Sequence, residues 1–177
     1  MCYFMKIYNE KVFWDLYYFF NYNNIMSLPY ITKIILNSSC GKFFFDKKKM
    51  NFFFNDLFNI CFQKPLFIKS KKSISDFNLK KNDNISLKVT LRKKNMYNFL
   101  YKFLNISLSQ INKFSGFLNN FDKFGNFNFG IEDHSIFPEI IFNKLDFLVG
   151  LNINIIFKNS NPLISFKILK FLNFPFN

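Results

Sequence analysis

One eight-residue run constrains the fold most. Ile85-Ser-Leu-Lys-Val-Thr-Leu-Arg92 alternates apolar and polar without a break. A period of two sends Leu87, Val89 and Leu91 to one side of a strand, and Ser86, Lys88, Thr90 and Arg92 to the other. Such a strand needs a sheet with one covered face and one wet face. Ile31–Asn37, Pro65–Lys69 and Leu151–Phe157 also read as strands.

Helical spacing lies between them. Val12, Leu16 and Phe19 predict a helix over about 8–20. Asp46 predicts an N-cap for a helix over Lys47–Cys61, with Met50, Phe53, Phe54, Leu57 and Phe58 on its inner face. Asn95 predicts the cap of a helix carrying Met96, Phe99, Leu100, Phe103 and Leu104 inward, and Pro162 opens a last helix over Leu163–Leu172. Ser70–Asn84 and the Gly/Asn/Phe-rich segment Phe114–Gly130 read as loops. Interleaved strands and helices define an α+β fold, two layers deep, with a mainly antiparallel sheet. At 177 residues and 21.4 kDa the chain is expected to form a single domain, residues 1–177.

Charge is lopsided and local. The net charge is +13. Residues 1–60 contribute +3, residues 61–120 contribute +10, and residues 121–177 contribute nothing. Ten cations fall between Lys64 and Lys94. Clustering of this kind points to one anion-binding face.

Composition explains some of the choices. The chain holds 30 Phe, 26 Asn, 23 Lys and 20 Ile, a single Arg and no Ala. No folding rule removes every Ala, whereas mutational bias toward AT-rich codons does, and organelle genomes commonly show it. The N-terminus lacks the apolar run of a signal peptide and the Arg- and Ser-rich character of a transit peptide. A protein working in an organelle would then be expected to be made there.

Chemistry that needs a reactive constellation finds little here. There is no GxSxG, no GxxxxGK[ST] and no GxGxxG, so the expectation is that the protein is not an enzyme. Cys2, Cys40 and Cys61 with a lone His134 make neither a disulfide framework nor a metal pattern; reduced, mostly buried thiols and a surface or loop histidine are expected, with no metal and no cofactor. No stretch reaches the roughly 20 apolar residues of a membrane span. A basic membrane-surface protein would carry its lysines on an amphipathic helix; here the densest lysines lie on a loop and a strand.

RNA fits better. Lys64, Lys69, Lys71 and Lys72 lead into the basic loop, Lys80 and Lys81 sit near its middle, and Lys88 and Arg92 follow on the strand. Cations alternating with hydroxyls offer phosphate partners together with donors for sugar and base edges.

The order of motifs then resembles a known family. The segments are Phe20-Asn-Tyr-Asn-Asn-Ile-Met-Ser-Leu-Pro29, Ile31–Asn37, Gln63-Lys-Pro-Leu66, Lys69-Ser-Lys-Lys-Ser73, Phe77 and Lys88–Arg92. They continue with Phe114-Ser-Gly116, Gly125-Asn126, Gly130, Ile136-Phe-Pro-Glu-Ile140, Gly150-Leu151 and Phe174-Pro-Phe176. In this order, from about residue 8 onward, they resemble the bacterial and organellar form of the universal L5 family: the large-subunit ribosomal proteins of the central protuberance that bind 5S rRNA. The resemblance implies an antiparallel sheet with helices packed on one side. It implies that Asn37, Gln63 and Thr90 contact 5S rRNA or an equivalent large-subunit rRNA. It also implies that the loop of about 71–85, with Phe77, Lys80 and Lys81, approaches P-site tRNA, and that the protein bridges to a small-subunit head protein beside neighbouring large-subunit proteins. With the codon bias, it implies an organellar ribosome, mitochondrial first and plastid as the alternative. An RNA-binding protein outside the ribosome is the competing reading.

The chain departs from that family at several points. The family's tRNA-facing loop is glycine-bearing, whereas here Asp76, Asn78, Asn82, Asp83 and Asn84 occupy that region without one Gly; Asn tolerates left-handed backbone, and the acids weaken the pull on tRNA. Phe62 stands where the family favours Gly or Glu. Ser38-Ser-Cys40 replaces a more apolar, glycine-bearing stretch, with Gly41 kept.

Overall fold

The alternating run forms strand β3 (Asn84–Leu91), and the sheet is built around its neighbour β1 (Tyr30–Ser39). In the computed structural model, which describes residues 3–40, 46–111, 114–140 and 148–177, five strands lie in the order β2-β3-β1-β5-β4. The others are β2 (Leu66–Lys69), β4 (Phe127–Ile131) and β5 (Leu151–Lys158). Every pairing is antiparallel. Cys2 and Gly41 lie outside the described residues.

Leu87, Val89 and Leu91 are buried together with Ile34 and Leu36 of β1 and Ile153 and Ile155 of β5. Helices cover this face: α3 (Lys47–Cys61), α4 (Lys93–Lys102) and α5 (Pro162–Phe171). In α3, Met50, Phe53 and Leu57 are buried. Phe58, expected on the inner face, is exposed, while Phe54 is half-buried and stacks on Phe67 of β2 with centroids 5.1 Å apart. Asp46 is the N-cap residue of α3, but its carboxylate makes no cap hydrogen bond and sits 3.5 Å from Lys49.

The N-terminal helix starts at Tyr3, not near 8. It runs as α1 (Tyr3–Ile7), a π-helical turn (Tyr8–Val12) and α2 (Phe13–Phe19). The wider turn lets Tyr8, Val12 and Leu16 all reach the core, and the Tyr8 hydroxyl donates to Pro29 O at 3.2 Å. Helix α4 begins at Lys93 after the N-cap Arg92, ahead of Asn95.

Three further expectations need correction. Phe114–Gly130 is not all loop: its last residues enter β4, where Phe127 and Ile131 turn inward against β5. The loop over 70–84 is partly ordered, with a short 3-10 turn (Ser75–Phe77) and an Ile74–Leu79 bridge. His134 is not on the surface but fully buried: Phe53 packs edge-on at 5.2 Å, and Nδ1 accepts the Val149 N–H at 3.2 Å.

Cys40 and Cys61 are buried, as expected of reduced thiols. Burial pushes the Cys40 thiol up to about 11 and Cys61 to about 12. The thiolate is the nucleophile, so both are expected to resist alkylation by iodoacetamide at pH 7.5 in the folded protein and to react fully in guanidinium. Rapid labelling of either under native conditions, read by mass spectrometry, would contradict this packing.

Candidate nucleic-acid interface

The face of the sheet opposite the helices is open, and the strand register sets what it displays. One row across it reads Leu66, Lys88, Asn37, Asn152 and Gly130, from β2 to β4. The adjacent row reads Thr90, Ile35, Asn154 and Asn128. Period-two geometry puts these side chains here because the core-facing residues of the same strands alternate with them. Two shallow depressions share Asn37, Asn128 and Asn154 in their walls.

The predicted residues fall into three groups. Asn37, Lys88 and Thr90 come together on β1 and β3, half-buried, with Asn37 directly opposite Lys88. The Asn37 Oδ1 is buried without a hydrogen-bond partner, which leaves an acceptor waiting. Gln63 and Lys64 precede β2 and Lys69 ends it, at the edge of this face. The Gln63 Nε2 donates to Thr90 O at 3.1 Å, tying the chain after α3 to β3. Arg92, at the end of β3, is exposed.

Lys71, Lys72, Lys80, Lys81 and Phe77 form a separate exposed group on the loop beyond β2. Asn78 and Asn82 take left-handed backbone there, with φ of 51° and 75°, so Asn does fill positions where glycine is the easiest residue. Ser70 N donates to Asp83 O at 2.8 Å and Asn82 N to Ser70 O at 3.0 Å, closing the base of the loop.

Phe62 shows why glycine suits the residue before Gln63. It ends α3 in the left-handed region, φ 51°, with its N–H donating to Phe58 O at 2.7 Å. A side chain there is strained, and the Lys102 ammonium lies 4.2 Å above its ring. Lys102 also pairs with Glu139.

Asn128, Asn152 and Asn154 are absent from the residues that sequence reasoning singles out. Alternation in Leu151–Phe157 is the signal for the last two, and β4 has to be recognised to find the first. Asn154 Nδ2 donates to Asn128 Oδ1 at 2.7 Å across β5 and β4. Beside them, Asp122 accepts from the Asn126 amide and from the backbone N–H groups of Phe124 and Asn126. Burial pushes its carboxyl up, but those hydrogen bonds pull it down further, to below the usual carboxylate range. Among the described residues no cluster of metal-ligating side chains forms, and no helix is long and apolar enough to cross a membrane.

A helix-backed antiparallel sheet with an open polar face and cations along one border defines a two-layer α+β protein built around a surface, not a catalytic cleft. Residues 24–80 match the family described as Ribosomal protein L5, and residues 84–176 match the model of that ribosomal family's C-terminus. The chain belongs to the ribosomal L5 family, which is a structural family and not one of enzymes. Among curated relatives, the large ribosomal subunit protein uL5 of Halothermothrix orenii is 37% identical, covering 96% of both chains. The large ribosomal subunit protein uL5c of Cyanidium caldarium is 42% identical over 96% of this chain and 94% of its own. The uL5 of Ralstonia pickettii is 39% identical over 97% and 96%. The sheet draws β1 and β2 from one matched segment and β3, β4 and β5 from the other.

Proposed function

We propose that this protein is a structural constituent of a large ribosomal subunit and binds rRNA, 5S rRNA or its equivalent in the central protuberance, through the open sheet face. The observation that carries the reading is the juxtaposition of Asn37, Lys88 and Thr90 on that face, with Gln63, Lys64 and Lys69 at its border, in a chain of the L5 family. Lys64, Lys69, Lys88 and Arg92 neutralise phosphates, while the amide and hydroxyl groups set the register. The folded core holds both in place, so residues 1–177 act as one domain.

The loop of about 71–85 approaches P-site tRNA with Phe77, Lys80 and Lys81, and the protein bridges to the small-subunit head. An exposed aromatic between cations suits contact with a folded RNA. Absence of Ala and the excess of Phe, Asn, Lys and Ile favour an AT-rich organellar genome, mitochondrial before plastid.

Gln63→Ala and Thr90→Ala test the assignment. Each is expected to weaken binding to a 5S-type rRNA transcript by about tenfold, by filter binding, with the circular dichroism of the fold unchanged. Wild-type affinity in both variants would place the RNA elsewhere. Co-sedimentation with large subunits that salt, and not detergent, reverses is the companion result.

A further inference from the structure

We propose, resting on the rRNA reading above, that the open face is divided: β2 and β3 hold the RNA backbone, and β5 with β4 reads the edges of unpaired bases through an asparagine pair. The cations nearest the central rows lie on one half, with Lys88 on β3 and Lys64, Lys69 and Arg92 at or just beyond the ends of β2 and β3. Across β5 and β4 the central rows carry Asn152, Asn154 and Asn128, and Gly130 adds no side chain. Lys33 lies one row further along, opposite Ile156, and Lys158 ends β5 on the same outward side, opposite Tyr30. At the rim Asp122 is held ionised by its hydrogen bonds, and a carboxylate repels a phosphate. The central rows of this half therefore offer no cation to a phosphate and suit groups that both donate and accept.

The Asn154–Asn128 bond supplies the geometry. It uses one Nδ2 hydrogen of Asn154 and the Oδ1 of Asn128. Outside it remain the Asn154 Oδ1, an acceptor, and the Asn128 Nδ2, a donor; among the described residues neither meets a protein partner. An acceptor and a donor fixed relative to each other match a base edge, where the two alternate. Asn37, with its unpaired Oδ1, stands opposite Asn152 in the neighbouring row and extends the same amide surface toward Lys88. Paired bases hide these edges, so the site selects loops and bulges over duplex.

Two RNA hairpins with the same stem, one closed by a long unpaired loop and the other by a tight tetraloop, test the division with the full-length protein. Wild type is expected to prefer the long-loop RNA by roughly tenfold or more. Asn128→Ala/Asn154→Ala is expected to lose that preference while the slope of log affinity against log salt stays put. Lys88→Ala is expected to weaken both RNAs alike and make the slope shallower by roughly one. Asn152→Ala, whose side chain holds no part of the fold together, is expected to lose part of the preference and guards against a folding defect in the double variant. Retention of the preference by both asparagine variants would overturn the division while leaving the rRNA reading intact. Failure of wild type to bind either hairpin would overturn both.

Discussion

Phe103→Ala is expected to lower the unfolding free energy by about 3–5 kcal/mol. Phe103 is fully buried at the end of α4 and lies within 5.3–6.4 Å, centroid to centroid, of Phe99, Phe117, Phe129 and Phe137. Those rings come from the helix layer, from β4 and from the segments before and after it. Truncation would remove the ring they share, and four rings anchored in separate elements cannot all move to fill the space. A typical domain has only about 5–15 kcal/mol in hand, so the variant would melt on the order of 10 °C lower. Phe19→Ala is the comparison. Its ring is exposed, with Lys167 4.6 Å above it, and its loss is expected to stay under about 1 kcal/mol. Urea titrations of both variants decide the point; a Phe103→Ala loss near that of Phe19→Ala would mean that the aromatic cluster is not the centre of the core.

The second large effect concerns charge. Replacing Lys64, Lys69, Lys88 and Arg92 with Gln together is expected to flatten the salt dependence of rRNA binding by about three in slope. Affinity would fall by roughly 10³-fold at 0.1 M salt and converge with wild type near 1 M, because counterion release is the driving term. The three exposed residues among these four make no salt bridge with a described residue, and Lys88 is half-buried on the solvent side. Stability should therefore hardly change. A parallel loss at all salt concentrations would show that these side chains do something other than neutralise phosphate.

Much of this layout is legible in the residues, for reasons that differ by element. β3 is plain because its two faces meet different environments, so the pattern is clean. β4 carries the same alternation, Phe127-Asn-Phe-Gly-Ile131, but Gly125 and Gly130 and the surrounding Asn residues mask it. Only pairing with β5, some 25 residues downstream in register, makes it a strand. Tertiary context likewise decides His134, since no local signal shows that a short turn will press it against Phe53 of α3. Phe58 misleads because a chain with 30 Phe also carries Phe at exposed positions, which blurs the helical face. On the open face, the cationic half stands out by charge, whereas the amide half is hidden by the abundance of Asn elsewhere.

The strand order has a consequence for how the molecule is made. β1 occupies the middle of the sheet, yet it is synthesised before every strand that pairs with it: β3 arrives some 50 residues later and β5 more than 100. A nascent chain emerging from the exit tunnel therefore carries an apolar strand with both edges bare until β3 appears, and with one edge bare until its last third does. Bare edges are templates for wrong pairings. Translational pauses before β5 should raise the share of chains captured by chaperones or lost to aggregation, and pauses after it should not.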